Sequence, residues 1–437
     1  MKNFTEPKVG TIFDNKEIAA IKRVIKSGDF LTRGKDVELF EKEFAKYCQA
    51  KYAVALSSCG AALKLSSKIL DLRKGDEVIC QANSFWVTYN HLLERKVTIK
   101  CADIEKNTLN ICPKSVKKLI TKKTKAVYLV HHGGNPANLR ELRKILKPKK
   151  IPLIEDSAHA LGAKFNGKKI GHDSDIAVFS FSTYKMISTL GEGGMFVTNN
   201  KSYANYAKLL RTNFPFGKTV VRKVKKLGIY RKPNEAESFS DSRLRASGKS
   251  SKAKFSDFLR MGDAWDLDWK SLDMMGSTYR MTTVQAAVGR VQLKKIESLI
   301  RSRAKIASIY NKAISKIPYL EKLQTYKKSR NSWWIFNFFT KENSPIQRDE
   351  IVKILFKKFK VLMILRHFPI NLNGVMRMQG CNSGGCRKCG KLENIEKVWF
   401  SRQLSLPIAP QMKISQAKFI ADALLKIFKN YKKIVLK

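Results

Sequence analysis

Short apolar runs and amphipathic stretches alternate along the first half of the chain. Apolar runs bounded by turn residues predict strands over residues 52–56, 77–81, 98–103, 126–130, 151–154, 175–181 and 195–198. Apolar positions at helical spacing predict helices over 15–26, 37–47, 203–211 and from the turn at 57–63 to about residue 70. Strands that are almost continuously apolar are typical of a parallel or mixed sheet covered on both faces. We therefore expect an α/β fold.

The second half of the chain indicates a smaller α+β unit. A long helical pattern opens at Gly276 and runs to about Ile317. It is followed by a predicted strand at 333–339, a helix at 348–359, a strand at 361–365 and a helix at 415–431. Because 437 residues exceed what one compact core usually holds, two domains sharing a cleft are expected. We predict a large domain over 1–280, and a linking helix with a small α+β domain over 281–437.

Two segments fit neither domain pattern. Residues 218–256 are basic and polar and lack the large apolar side chains that would order them, which predicts a mobile insertion. Residues 381–389 hold Cys381, Cys386 and Cys389 in C-x4-C-x2-C spacing, which is similar to part of a zinc or iron–sulfur ligand set. His367 would complete a zinc site, but three thiols without an evident fourth ligand favour reduced cysteines and no metal.

Two polar residues follow neighbouring predicted strands at the edge where α/β sheets place their chemistry. Asp156 ends the 151–154 run, and Lys185 follows the 175–181 run. A lysine that is costly to bury as a cation has a lowered pKa, and its free amine can form a Schiff base. A nearby carboxylate could keep a pyridinium nitrogen protonated, which makes pyridoxal phosphate an electron sink. The alternative is that Asp156 caps a helix and Lys185 is solvated.

Three further features lie at strand ends. The small-residue turn at 57–63 leads into a helix start, where the amides of Gly60 and Ala61 are available to hold a phosphate. Phe85 follows the 77–81 strand and could stack on a pyridine ring or pack in the core. Neighbours on a strand point to opposite faces, so His131 and His132 are not expected to chelate one metal, and His132 is a candidate cleft residue.

Several motifs in order resemble the sugar aminotransferases of the DegT/DnrJ/EryC1/StrS family. Residues 155–160, Glu-Asp-Ser-Ala-His-Ala, are similar to the family's E-D-A-A-Q/H-A motif. Ser180-Phe181 with Lys185 is similar to S-F-x-x-x-K, and residues 191–194 to G-E/D-G-G. Other segments extend the resemblance over nearly the whole chain apart from the insertion and the cysteine loop.

The resemblance implies a fold and a reaction. The fold is that of the aspartate-aminotransferase type (fold type I), with a mixed central sheet in the large domain. The implied cofactor is pyridoxal 5'-phosphate, and the implied assembly is a homodimer with shared active sites. The activity is transfer of an amino group from an amino acid such as glutamate to a keto sugar, most often nucleotide-linked, in polysaccharide or secondary-metabolite biosynthesis.

The resemblance also implies residue roles. Lys185 binds the cofactor and moves the proton, Asp156 holds the pyridinium, and His159 lies near the phenolic oxygen of the ring. Phe85 stacks on the ring, and Ser180 takes the phosphate together with the turn at Gly60 and Ala61. Thr278 stands where the family has an asparagine that reaches the phosphate site of the partner subunit.

Two alternatives within the family remain open. A related branch dehydrates sugars and carries histidine in place of the lysine, so Lys185 argues against it. A non-catalytic binding or regulatory homologue is the other alternative, because Cys59, Gly60 and Thr278 depart from the usual pattern.

The charge of the chain is extreme. Its 85 Lys and Arg against 36 Asp and Glu give a formal net charge of +49, which permits binding to nucleic acid or anionic surfaces. The lysines are spread along the whole chain, which favours solvated faces over a dedicated nucleic-acid surface. The sequence shows neither a long apolar run nor a signal-peptide pattern, so we expect a cytoplasmic protein without a membrane span.

Overall fold

The computed structural model describes residues 4, 7–212, 277–374, 376, 381–382, 385–386 and 390–431. The segment 218–256 and the side chains of the cysteine loop 381–389 lie outside the described part, so the predictions for them stay predictions. Within the described ranges, no helix combines the length and apolar character that a membrane crossing requires.

The region predicted as the large domain is built on a seven-stranded mixed sheet. The strands of this domain are β1 (Tyr52–Leu56), β2 (Glu77–Gln81), β3 (Thr98–Ala102), β4 (Thr124–Val130), β5 (Leu153–Asp156), the hairpin strands β6 (Lys164–Phe165) and β7 (Lys168–Lys169), β8 (Ile176–Ser180) and β9 (Gly194–Thr198). The order in the central sheet is β1-β9-β8-β5-β4-β2-β3. Strand β9 is antiparallel to β1 and β8, and the other neighbours are parallel. The α/β fold with a mixed sheet is confirmed.

Helices cover both faces of this sheet. Helix α1 (Asn15–Lys26) packs instead on the long helix Thr283–Ser315. The covering helices are α2 (Lys35–Cys48), α3 (Cys59–Ile69), α4 (Val87–Glu94), α5 (Pro113–Leu119), α6 (Leu139–Leu146) and α7 (Lys201–Leu210). Alternate strand residues enter two separate cores, because successive side chains of a strand point to opposite faces. On β1, Val54 and Leu56 pack with α3, α4 and α7, while Ala53 and Ala55 pack with α2 and α6.

The long helix α8 (Thr283–Ser315) lies between the two predicted domains in the chain, and the domain division itself stays a prediction. It begins later than the predicted opening at Gly276, because Thr282 and Gln285 form a reciprocal cap at its start. The Gln285 amide donates to Thr282 Oγ1 over 3.2 Å, and the Thr282 amide donates to Gln285 Oε1 over 3.0 Å.

The region predicted as the small domain packs helices against a three-stranded antiparallel sheet. Its remaining elements are β10 (Leu320–Lys322), β11 (Phe336–Thr340), α9 (Arg348–Phe359), β12 (Cys381–Asn382), β13 (Gly385–Cys386), β14 (Gly390–Lys391), α10 (Glu393–Lys397), β15 (Gln403–Leu406) and α11 (Ile414–Lys429). The sheet order is β10-β11-β15, and β12 to β14 form a separate small sheet. The core of this region combines the end of α8 with α9, α11 and the β10-β11-β15 sheet.

The strand predicted at 361–365 is wrong. Of these residues Val361 alone forms a bridge, an isolated one with Phe4, and residues 362–365 form no strand. The third strand of the β10-β11-β15 sheet is β15, which the sequence pattern did not predict. Strand choice here was decided by long-range pairing, because β11 offers its free edge to residues 403–406.

Candidate active site

Three of the predicted site residues meet at one edge of the central sheet. Strands β5 and β8 are parallel neighbours, with Asp156 at the end of one and Ser180 at the end of the other. The Ser157 amide donates to the Val178 carbonyl over 2.8 Å, which continues the pairing beyond Asp156. Lys185 lies on the loop that follows β8. The parallel topology therefore brings its amine and the carboxylate to the same cleft.

Asp156 is buried, with 5% of its surface exposed. Its carboxylate accepts hydrogen bonds from the Thr88 hydroxyl (2.7 Å) and the Ala158 amide (3.1 Å), and both donors are neutral. Burial raises the pKa of Asp156, while these two hydrogen bonds and the charge of Lys185 oppose the rise. No helix follows Asp156 over residues 157–163, so the helix-cap alternative does not hold.

Lys185 is partly buried, and its surroundings favour the free amine. Its Nζ lies 4.2 Å from the centroid of the Trp334 ring. Burial lowers the pKa of Lys185 to about 8, although the negative charge of Asp156 acts in the opposite direction. Because Lys185 is partly buried against Trp334, the solvated-lysine alternative does not hold either. Its lowered pKa leaves a larger fraction of free amine, which is a competent nucleophile and proton acceptor, than a solvated lysine has at the same pH.

A layer of rings lines the cleft beside Lys185. His159 stacks on Trp334, with centroids 3.7 Å apart and planes at 13°, and His367 lies parallel to His159 at 5.2 Å. The ring of His132 lies 5.7 Å from that of His367. Burial lowers the pKa of His132 to about 3 and holds those of His159 and His367 well below the usual value. The three imidazoles are therefore neutral at physiological pH.

Several ring nitrogens in this layer are available to a ligand. His159 Nδ1, His367 Nε2 and both ring nitrogens of His132 are buried without a hydrogen-bond partner among the described residues. Burying a polar atom without a partner is costly, so these atoms fit a ligand that supplies hydrogen bonds. Across all residues that the structure describes, no group of three or more His, Cys, Asp or Glu is arranged to hold a metal ion.

Phe85 is 45% exposed and lies on the cleft side, with its ring 5.5 Å from that of His367. Its neighbour Trp86 is 51% exposed. This exposure does not fit the core-packing alternative for Phe85, and an exposed ring at the rim of a cleft is free to stack on a ligand.

The predicted phosphate turn lies at the start of α3. Ser58 caps this helix by accepting the Ala61 amide over 3.0 Å, so that amide would have to be shared with a phosphate. The Gly60 amide lies in the first turn, where amides have no intrahelical partner. A Cβ at Gly60 would lie 3.2 Å from Val87, which keeps this position small. Ser180 is buried, and its Oγ lies 3.4 Å from the Ser182 amide, which donates to it.

Thr278 is exposed and lies near the predicted phosphate turn at residues 57–63. The Ser57 amide donates to the carbonyl of the next residue, Tyr279, over 2.8 Å. Its predicted contact with a partner subunit stays a prediction.

The sequence interpretation gave no role to Thr88 or Trp334. Thr88 stands three residues after Phe85, and this spacing is the sequence feature that could have identified it as a site residue. No local pattern marked Trp334, which follows another tryptophan at a predicted strand. His131 proves to be structural: its Nδ1 accepts the Ala137 amide over 3.0 Å, so its proton is on Nε2, which donates to Glu155 over 3.1 Å.

The donor set fits pyridoxal phosphate. Asp156 is a buried carboxylate whose hydrogen-bond donors are neutral, so it would accept a protonated ring nitrogen as a charged partner. Lys185 would supply the amine, and the unpaired Nδ1 of His159 would contact the ring. A ring face at Phe85 and a helix start at Gly60 complete the set.

Comparison with known proteins agrees with this geometry. The chain is 32% identical over 413 residues to the protein MJ1066 of Methanocaldococcus jannaschii, covering 94% of this chain and 95% of that protein. It is 30% identical to GDP-perosamine synthase of Vibrio cholerae, covering 78% and 79%. A solved structure of GDP-4-keto-6-deoxymannose-3-dehydratase with a trapped PLP-glutamate geminal diamine superposes with a TM-score of 0.75, at 26% identity over 96% of this chain and 100% of that one. The sequence model of the DegT/DnrJ/EryC1/StrS aminotransferase family matches residues 11–425, so the chain belongs to this family.

Proposed function

We propose that the chain is a pyridoxal-phosphate-dependent aminotransferase that moves an amino group from an amino acid, glutamate in the first instance, to a keto sugar. A nucleotide-linked sugar is the proposed acceptor, because GDP-perosamine synthase acts in nucleotide-sugar chemistry by its name. The observation that carries the proposal is that Lys185, whose pKa is lowered to about 8, follows β8 at the same sheet edge where the buried carboxylate of Asp156 ends the neighbouring parallel strand β5. The product would feed polysaccharide or secondary-metabolite assembly.

The residues proposed to hold the cofactor surround this pair. Lys185 would hold its aldehyde carbon, Asp156 the ring nitrogen, and His159 the phenolic oxygen. Phe85 would cover the ring, while the Gly60 and Ala61 amides and Ser180 would take the phosphate. When bound, pyridoxal phosphate supplies an electron sink for the carbon that carries the amino nitrogen.

Lys185 is proposed to carry the proton in both half-reactions. A general acid–base works best when its pKa lies near the working pH, and the pKa of Lys185 is about 8. Trp334 gives the amine an aromatic face at 4.2 Å and helps to exclude water from it. The hydrogen bonds from Thr88 and Ala158 oppose the effect of burial on the pKa of Asp156 and favour the carboxylate form, which would stabilise positive charge on the ring nitrogen.

We further propose a cytoplasmic homodimer with shared sites, in which the exposed Thr278 reaches the partner's phosphate site. Specific binding to nucleic acid is not proposed, because the lysines are spread along the chain.

The test starts with purified protein and pyridoxal phosphate. Borohydride should add the mass of the reduced cofactor to the peptide that contains Lys185, and glutamate should release one equivalent of 2-oxoglutarate per site. Lys185→Ala should lose both signals, whereas the exposed-residue control Lys168→Ala should keep them.

Keto nucleotide sugars supplied with labelled glutamate then separate the family's two reactions. Incorporation of the ¹⁵N label into the sugar supports the aminotransferase. Loss of water from the sugar without label would indicate the dehydratase, and absence of cofactor on Lys185 would indicate a non-catalytic homologue.

A further inference from the structure

A segment near the amino terminus packs directly on the loop that carries Lys185. We call residues 7–14 the N-terminal strap. Its Gly10 amide donates to the Thr183 carbonyl over 2.8 Å. A Cβ added to Gly10 would lie 2.3 Å from the Tyr184 carbonyl oxygen and 2.5 Å from that of Lys185. The contact is therefore backbone against backbone and leaves no space for a side chain.

Two buried side chains fix the strap and the loop together. Arg303 of α8 is 2% exposed and donates to the Gly10 carbonyl and the Ile408 carbonyl, each over 2.8 Å. Trp334 donates from Nε1 to the Tyr184 carbonyl over 2.7 Å, while its ring lies under Lys185 Nζ. The carbonyls of both residues that precede Lys185 are thus held by groups from outside the loop.

The strap is also anchored to the small domain. Gln411, which precedes α11, donates from Nε2 to the Val9 carbonyl over 2.9 Å and also to the Thr11 carbonyl. On the strap itself, the Thr11 hydroxyl donates to Gln292 Oε1 of α8 over 2.6 Å. These bonds connect the lysine loop of the large domain to elements that build the small domain.

We propose that Gly10 and the strap are positioning elements for Lys185, holding its loop so that the amine meets the cofactor in the reactive geometry. The proposal rests on the proposed function, in which Lys185 holds pyridoxal phosphate. Its physical basis is that a displacement of about 1 Å in a reacting group can cost about a hundredfold in rate. Gly10 touches neither substrate nor cofactor in this account and acts through the backbone of Lys185.

Gly10→Ala tests the proposal by forcing the strap and the lysine loop apart, because its Cβ would collide with the backbone carbonyls of Tyr184 and Lys185, while the φ of Gly10 lies outside the left-handed region and adds no strain of its own. Gly374→Ala is the matched control, since Gly374 is exposed, also lies outside the left-handed region and has open space around its Cβ position. Gln411→Ala loosens the strap from an exposed position and adds no atoms.

The readouts are the Kd for pyridoxal phosphate from absorption titration, the pH at which borohydride labelling of Lys185 is half-maximal, and the Tm of the cofactor-free protein. Because the added Cβ displaces backbone, Gly10→Ala should also have a lower cofactor-free Tm than Gly374→Ala, so both variants are compared at a temperature at which each is fully folded. There Gly10→Ala should raise the Kd about tenfold or more and move the labelling midpoint, while Gly374→Ala should keep the wild-type values. Gln411→Ala should shift the Kd in the same direction by a smaller factor.

Wild-type Kd and labelling midpoint in Gly10→Ala would overturn the positioning role. If Gly10→Ala does not fold, Gln411→Ala is the deciding variant, and a wild-type Kd for Gln411→Ala would overturn the positioning role. Failure of the wild-type protein to label at Lys185 would instead be a failure of the proposed function, whatever the strap variants do.

Discussion

The hydroxyl of Thr88 donates a 2.7 Å hydrogen bond to Oδ2 of Asp156 from the first turn of α4. Both residues are buried, at 1% and 5% exposure. The bond fixes one carboxylate oxygen and opposes the effect of burial on the pKa of Asp156. It also ties the strand end at Asp156 to the segment that presents Phe85.

Thr88→Ala should therefore weaken cofactor binding. Without the hydroxyl the pKa of Asp156 rises further, and a protonated Asp156 no longer stabilises a charged ring nitrogen. A hydrogen bond to a charged group is worth roughly 1.5–3 kcal/mol, so we expect a Kd for pyridoxal phosphate about tenfold or more above wild type. As the pH is lowered, cofactor binding should begin to weaken at a higher pH in Thr88→Ala than in the wild-type protein. Thr88→Ser retains the hydroxyl and should bind within about threefold of wild type, and equal Kd values for the alanine and serine variants would contradict this role.

The reactivity of Lys185 should follow the titration of its amine. The pKa of about 8 predicts that the initial rate of pyridoxal phosphate incorporation rises from pH 6 to pH 9 with a midpoint near 8. The negative charge of Asp156 raises this pKa, so Asp156→Asn should move the midpoint to lower pH. Asp173→Asn, at an exposed site, should leave it in place. A midpoint near 10 in wild type would show that the amine is solvated.

Glu155 should contribute to stability, in contrast to its neighbour in the motif. Its carboxylate is fully buried and accepts from His131 Nε2 (3.1 Å) and Arg143 Nη2 (3.3 Å). Burial alone would raise the pKa of Glu155, but the hydrogen bond from His131 and the charge of Arg143 outweigh it and hold the pKa below its usual value. A lowered folded-state pKa contributes stability above the unfolded pKa, which is lost as pH falls through the folded value.

Glu155→Gln should accordingly lower the free energy of unfolding at pH 7 by roughly 1–3 kcal/mol, measured by urea denaturation. The difference from wild type should shrink below about pH 4. Asp173→Asn is the matched control, because Asp173 pairs with the same Arg143 at 2.9 Å but its side chain is 58% exposed. That variant should change stability by less than about 1 kcal/mol, and an equal loss in both variants would contradict a special role for the buried pair.

A shared active site can be tested by mixing two inactive chains. Lys185→Ala disables a site through its own lysine, and Thr278→Arg would disable the partner's phosphate site. In a heterodimer of the two variants, one site receives both changes and the other receives neither. Random pairing should restore about a quarter of the wild-type activity. If Thr278 serves its own chain's site, every site carries one change and the mixture stays inactive.

The hydrophobic pattern and the general topology of α/β sheets were sufficient to predict the central sheet and to identify the two residues that carry the proposed chemistry. Apolar runs near Tyr52–Leu56 and Ile176–Ser180 pointed to strands, because a strand buried on both faces leaves little choice of residue. Parallel neighbours end at one edge, so Asp156 and Lys185 could be placed in the same cleft without coordinates. These features are local in sequence or follow from a general rule of α/β topology.

Other parts of the site depended on residues that meet from distant parts of the chain. Trp334 reaches Tyr184 across 150 positions, and Arg303 reaches Gly10 across 293. Thr88 approaches Asp156 because α4 packs beside the end of β5, and β15 pairs with β11 because that edge is open. No local spacing encodes such contacts, since each depends on how separate elements pack together. The packing therefore decided how the lysine loop is held, the charge state of the cleft histidines and the third strand of the small domain.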